Sequence, residues 1–235
     1  GLLFFLRNQN GTLFFTKPSF SGKVLWRACG NGSSEMVTNL ANAITTFLFN
    51  YTFMRYWGEN GVASITIIMY FQYVFTAVYF GYSSGVAPVI SYKYGSRDKD
   101  QLHKIVSDSI GLLGVCSVLS FALSWLVSTP VITVFTSRES VVFQITNEGI
   151  KLYSICFILM GINIFVSALF TALSDGKSSA IISFSRTFLF LVTMILLLPA
   201  VIGDLGVWLS VPCAEALGML LSVRYLIAYR RKFWR

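Results

Sequence analysis

The sequence predicts an all-α polytopic membrane protein of six transmembrane helices, and three observations carry that prediction. Six apolar stretches of about twenty residues or more run between Met36 and Tyr229, and a bilayer core of about 30 Å needs about 20 apolar residues in helix to cross it. The composition is 55% hydrophobic against 12% charged over 235 residues, which leaves too little polar surface for a soluble domain of this length. Lys and Arg gather on alternate loops only, the orientation signal of a membrane protein.

In order, the spans are Met36 to Phe53, Val62 to Ile90, Ile105 to Val127, Ile150 to Leu173, Ala180 to Leu198 and Leu205 to Tyr229. Each must be helical because backbone groups in lipid are satisfied within their own segment. Six spans return both chain ends to one side. On that side fall Arg7, Lys17, Lys23 and Arg27 before the first span, and Lys93, Arg97, Lys99 and Lys104 after the second. Lys177 and Arg186 follow the fourth, and Arg224, Arg230, Arg231, Lys232 and Arg235 close the sixth. Only Arg55, Arg138 and Lys151 fall opposite. Fifteen basic residues against three place both termini in the cytoplasm of a protein integral to the cell membrane. The net charge of +8 then reports orientation and contact with the lipid bilayer, and argues for no nucleic acid partner.

The chain opens on Gly1-Leu-Leu-Phe-Phe-Leu, without the charged start of a signal peptide. It looks like the tail of an earlier transmembrane helix, so the sequence is expected to be the C-terminal part of a longer protein. Residues 1–33 are then the end of that helix and a linker containing Gly11 and Pro18, 34–229 the six-helix lobe, and 230–235 a basic tail.

Enzyme signals are weak. Gly81-Tyr82-Ser83-Ser84-Gly85 matches the nucleophile elbow of serine hydrolases, but that motif needs a strand before it and a His base. Here it lies in an apolar span, and the sole histidine, His103, sits in a charged loop. The same residues read as Gly-x-x-x-Gly, a face for close helix packing. Cys29, Cys116, Cys156 and Cys213 show no C-x-x-C spacing and read as small buried apolar residues. No metal or organic cofactor is expected. The sequons at Asn10, Asn31 and Asn50 read as chance matches.

Polar groups inside apolar spans carry the functional signal, because they cost free energy and tend to face a bundle interior or a wet cavity. Glu35, Asn39, Asn42 and Thr46 share one face of the first span. Gln72, Thr76, Tyr79 and Ser83 do so in the second, and Asn163, Ser167, Thr171 and Ser174 in the fourth. Each stripe fits either interhelical hydrogen bonding or a cavity wall, and Glu35 near the helix entrance also fits a cap. Glu215 stands about ten residues into the sixth span, near the bilayer midplane. Burial there disfavours an ionised carboxylate unless a cation or donor compensates, so Glu215 is either a proton or cation carrier or a structural group bonded to a neighbour such as Arg186. Trp208, Glu215 and Ser222 share its heptad face. Pro88, Pro199 and Pro212 mark expected helix interruptions.

Three segments together are similar to a known family. Gly81 to Gly95 (GYSSGVAPVISYKYG) resembles the second-helix signature of the C-terminal lobe of the multidrug and toxic compound extrusion (MATE) family. Ala168 to Ala180 with Ser183-Phe-Ser-Arg186 resembles its fourth-to-fifth helix junction, and Gly206 to Glu215 the start of its last helix. The resemblance implies one lobe of a twelve-helix transporter whose N-terminal six-helix lobe is absent from this chain. It also implies antiport of organic cations and other small amphiphilic compounds by alternating access, driven by proton or sodium influx. Family members often carry a functional carboxylate in the first helix of this lobe, where Glu35 is the candidate. Some place an acid in the fourth helix, where this chain has Asn163. Glu35 and Glu215 are accordingly the expected coupling groups. The expected substrate cavity comprises Asn39, Asn42, Met69, Tyr70, Gln72, Met160, Asn163 and Arg186, with methionines and aromatic rings suited to varied apolar cations. A flippase for lipid-linked oligosaccharides would share the architecture but would need a basic cavity for pyrophosphate. A membrane scaffold would confine its polar groups to packing seams.

Overall fold

The computed structural model describes residues 21–233, without the side chains of 24, 26–39 and 230–233. The expectations for residues 1–20, for the side chains of Cys29, Asn31, Glu35 and Asn39, and for the tail therefore lie outside the described residues. The chain divides into two compact units, Gly1–Leu40 and Ala41–Arg235, and the contacts and cavities below belong to the second.

The described residues form helices joined by short turns: α1 (Gly22–Gly95), α2 (Lys99–Phe135), α3 (Val141–Tyr153), α4 (Ile155–Ala172), α5 (Gly176–Phe184), a π-helical turn (Ser185–Phe190), α6 (Leu191–Ile202) and α7 (Asp204–Phe233). Five helical runs are long and apolar enough to cross a membrane, the first of them, Leu40–Gly95, having 56 residues. A straight helix of that length would reach about 84 Å, far beyond one bilayer core. It does not run straight. Gly58 breaks α1 with φ 61° and ψ −149°, and a Cβ on Gly61 would lie 2.7 Å from the Phe53 carbonyl oxygen. Those residues would stand about 12 Å apart along a straight helix, so the chain doubles back at Gly58 and α1 supplies two spans.

The same turn is built again between α6 and α7. Gly203 has φ 65° and ψ −137°, and a Cβ on Gly206 would lie 2.3 Å from the Leu198 carbonyl oxygen. The offsets match: a positive-φ glycine, a second glycine three residues on, and the approached carbonyl five residues before the first. Only glycine tolerates this combination of φ and ψ without strain. The six expected spans are thus present. The tight turns between them lie at Gly58 and Gly203, inside the expected gaps between Phe53 and Val62 and between Leu198 and Leu205. Pro88, Pro130, Pro199 and Pro212 all sit inside helices, because proline's fixed φ is itself helical and its missing N–H removes one bond without reversing the chain.

At that end of the bundle the two turns lock together. Tyr56 donates to the Pro199 carbonyl at 2.9 Å, and Trp208 packs edge-on against Phe53 with ring centroids 4.8 Å apart and against Trp57 at 5.3 Å. A Cβ on Gly149 would meet the Trp208 ring at 2.4 Å, so only glycine lets α3 seat against that indole.

The core centres on α4, which packs on α2, α5 and α7 and buries Phe157, Met160, Phe165, Leu169 and Phe170. The buried face of α2 is serine-rich, with Ser109, Ser117, Ser120, Ser124 and Ser128 interleaved with Leu113 and Ile132. Small side chains let helices approach closely where lipid removes the hydrophobic drive for helix association. Gly161 on α4 completes the approach, since a Cβ there would meet Ser117 Oγ at 2.7 Å. By contrast Gly81 and Gly85 have nothing within 4 Å of an added Cβ. The expected Gly-x-x-x-Gly packing face is not used within the described chain; both glycines are exposed, on the side of the helix away from buried Tyr79 and Ser83. Asn50 lies inside α1, eight residues before the break at Gly58. Cys156 is buried, whereas Cys116 and Cys213 are partly exposed.

Candidate functional site

Five of the six spans, all but α2, lend one face to a shared cavity of about 300 Å³. The first half of α1 gives Asn42, Thr45, Thr46 and Phe49, and the second half gives Met69, Gln72, Tyr73 and Thr76. Both sets follow i, i+3, i+4, i+7, the stripe that a helix presents to one side. Tyr153 closes α3, Met160 and Ile164 come from α4, Arg186 and Thr187 from the π-helical turn, Leu191 from α6, and Val211, Ala214 and Glu215 from α7. Cross-links tie the wall together: Tyr153 donates to Gln72 Oε1, and Thr76 Oγ1 donates to Met160 Sδ at 3.4 Å. The wall mixes amide, hydroxyl, thioether and aromatic groups. Its charged members are Arg186 and Glu215, which cancel.

Those two form the chemical centre. Arg186 Nη1 donates to Glu215 Oε1 at 2.8 Å, with side chains 15% and 7% exposed. Asn163 Nδ2 donates to the other oxygen, Oε2, at 2.7 Å, and to the Glu215 carbonyl at 3.0 Å. Ser222 Oγ in turn donates to Asn163 Oδ1 at 3.1 Å. That bond fixes the amide with its donor face toward the carboxylate, as a buried network requires. Each carboxylate oxygen thus has its own donor, one cationic and one neutral. Arg186 Nε is buried without a hydrogen-bond partner.

Local sequence explains the placement. The π-helical turn, Ser185–Phe190, widens the backbone around Arg186, and such turns are frequent at functional sites. Gly218, one turn after Glu215 on α7, leaves a notch in which a Cβ would sit 3.0 Å from Arg186 Cγ and 3.2 Å from Asn163 Nδ2. The glycine makes room for the arginine stem and the amide together.

The expected site residues divide accordingly. Asn42, Met69, Gln72, Met160, Arg186 and Glu215 converge on the cavity. Tyr70 does not: it is 55% exposed and stacks on Phe135, because it stands one residue, hence about 100°, round the helix from Met69. Tyr73, one turn beyond Met69, takes that place. Asn163 is fully buried behind Glu215 rather than lining the cavity. Arg186 is no loop residue, and its removal from the basic count leaves fourteen against three. Ser167, Thr171, Ser179 and Ser183 bond one another between α4 and α5, the packing seam expected of small hydroxyls. Thr45, Tyr73, Tyr153 and Gly218 were not anticipated; the i+3, i+4 rule applied to Asn42 and Met69 reaches the first two. No group of three or more His, Cys, Asp or Glu able to hold a metal occurs among the described residues.

The described lobe thus surrounds a polar cavity that holds a buried ion pair. The MatE family model matches residues 35–196, over two thirds of the chain, and the chain belongs to that family. No curated protein matches it. Among solved structures, the inward-facing conformation of a multidrug resistance MATE family transporter of the MOP superfamily aligns with a TM-score of 0.80 at 20% identity, over 92% of this chain and 49% of that one. An outward-facing conformation of such a transporter aligns at 0.79 and 19%, over 98% and 52%. A MOP superfamily transporter from Pyrococcus furiosus, described as having a binding pocket of reverse polarity, aligns at 0.75 and 21%, over 97% and 53%. The chain spans about half the length of each.

Proposed function

We propose that this chain is one half of a secondary active antiporter that exports organic cations and other amphiphilic compounds by alternating access. Proton or sodium influx drives it, and an N-terminal six-helix lobe completes it. The observation that carries the proposal is the Glu215–Arg186 pair at the wall of an otherwise neutral, polar and aromatic cavity.

Glu215 is the coupling group. A proton or sodium ion arriving at Oε1 competes with the Arg186 guanidinium, while Asn163 keeps hold of Oε2. Release of Arg186 alters the charge and shape of the wall formed by the π-helical turn and α7, which biases the lobe toward its other state. Methionines, tyrosines and small hydroxyls supply a wall that adapts to varied apolar cations. Glu35 and Asn39, which the sequence offers as a further coupling carboxylate and cavity amide, belong to the same proposal. A flippase for a lipid-linked pyrophosphate has less support, since Arg186 is committed to Glu215 and no other cation lines the cavity among the described residues.

The test uses the complete reading frame reconstituted in proteoliposomes. An imposed proton or sodium gradient should drive accumulation of a fluorescent organic cation, and the matching ionophore should abolish it. Absence of accumulation under both gradients, with the protein shown to be inserted, would overturn the proposal.

A further inference from the structure

At the end of the bundle opposite the glycine turns, two cavities adjoin through Leu102 and Tyr229, which line both. The inner one, of about 290 Å³, is walled by Leu102, Val106 and Ile110 on α2, by Leu169 and Leu173 at the end of α4, and by Val223, Leu226 and Ile227 on α7. Apart from Tyr229, its lining side chains are aliphatic. It penetrates along α2 for two helical turns, about 12 Å from the loop. The outer cavity, of about 350 Å³, carries Lys93, Arg97 and Lys99 against the single carboxylate of Asp98. Three cations and one anion leave it net positive by two.

The local backbone sharpens the point. Lys93 pairs with Asp98 at 3.5 Å, and Asp98 also caps α2 by accepting from the Gln101 N–H. Arg97 and Lys99 are exposed. Arg97 has φ 59°, a left-handed conformation that bulky residues seldom adopt and glycine adopts freely. A cation thus occupies a turn position whose backbone favours glycine. An apolar slot running inward from a basic mouth at the membrane boundary is complementary to a molecule with an anionic head and an aliphatic tail, and basic pockets between helices at that depth suit phospholipid head groups.

We propose that this cleft between α2 and α7 is a binding site for an anionic phospholipid, with its phosphate at Arg97 and Lys99 and an acyl chain between Val106, Leu169 and Val223. The site lies apart from the Glu215 cavity and does not depend on the transport reading. A lipid seated there bridges the ends of α2, α4 and α7, so it stabilises the lobe.

The complete protein in detergent micelles tests this by thermal unfolding against titrated phosphatidylglycerol, phosphatidylcholine of matched chains, and soluble glycerol phosphate. Phosphatidylglycerol should stabilise at concentrations well below those of phosphatidylcholine, and glycerol phosphate should have no effect. Arg97→Gly, which relieves the backbone, combined with Lys99→Gln should remove the preference, at about fivefold in apparent affinity per basic residue. Val223→Trp, which fills the slot from a position already 39% exposed, should weaken both lipids while leaving unfolding without lipid unchanged. Equal stabilisation by both lipids, or an unaltered preference in the Arg97→Gly/Lys99→Gln protein, would overturn the proposal. Stabilisation by glycerol phosphate alone would reduce the site to a phosphate contact and overturn it as well.

Discussion

Asn163 and Glu215 are bonded twice, through the carboxylate at 2.7 Å and the main-chain carbonyl at 3.0 Å, by one amide nitrogen. The position where some family members are expected to carry an acid thus holds an amide that supports an acid on the last helix. In this lobe the carboxylate resides on α7, with its donors on α4 and the π-helical turn.

Removing Asn163 strips one carboxylate oxygen of its donor and leaves Ser222 without its acceptor. Asn163→Ala should lower stability by about 1–3 kcal/mol, the cost of leaving buried polar groups unsatisfied. Ser222→Ala, which leaves the amide free to rotate, should cost less. Thermal unfolding in detergent orders the two; a larger loss in Ser222→Ala would contradict the network as described.

The ion pair should respond more strongly. Arg186→Ala leaves a buried carboxylate and Glu215→Gln a buried guanidinium without its counter-charge, and Glu215→Gln also turns an amide donor toward Asn163 Nδ2, so each single change should cost about 3–5 kcal/mol. Adding Glu215→Gln to Arg186→Ala should recover most of the loss. A double-mutant cycle measures this, and strict additivity would show that the pair carries no coupling.

Glycines with different surroundings should respond differently to a methyl group. Gly149→Ala drives a Cβ into the Trp208 ring and should cost about 1–3 kcal/mol, largely restored by Trp208→Leu. Gly58→Ala and Gly203→Ala must hold alanine at φ 61° and 65°, costing about 1–3 kcal/mol each. Gly81→Ala and Gly85→Ala meet open space and should leave stability unchanged or raised by about 1 kcal/mol through helix propensity. Unfolding temperatures of the five variants test the set, and a large loss at Gly85 would reinstate a packed face there.

Gly218→Ala tests how the site is positioned. The added methyl must displace Arg186 Cγ or Asn163 Nδ2 by a few tenths of an ångström, so substrate transport should fall more than stability does. Equal stability with unchanged transport would show that the notch is not needed.

The spans were legible because lipid imposes one solution on an apolar stretch, and because basic loops sort by side. Glu215 stood out as a lone acid near mid-membrane, and Asn42, Gln72 and Met160 as polar or soft groups on apolar faces. The two tight turns fall within the gaps between the expected spans, at Gly58 and Gly203, but a sequence does not show a positive φ, and the interruptions expected at proline are absent because Pro88, Pro199 and Pro212 sit inside helices. Tyr70 was placed in the cavity and Tyr73 overlooked because the stripe was not carried one full turn from Met69. The role of Gly218 depends on an arginine 32 residues earlier, a relation visible only in three dimensions. Asn163 stands out for its polarity and Glu215 for its charge, but the bond between them across 52 residues is not visible in the sequence.

Glu215 is proposed to couple ion influx to export. The most direct measurement compares the complete protein with its Glu215→Gln variant in proteoliposomes, for gradient-driven accumulation of a fluorescent organic cation and for exchange of that cation at equilibrium. The account predicts that the variant loses accumulation while keeping exchange, because the cavity survives and only the titratable group is gone. Accumulation at the wild-type rate in the variant would contradict it.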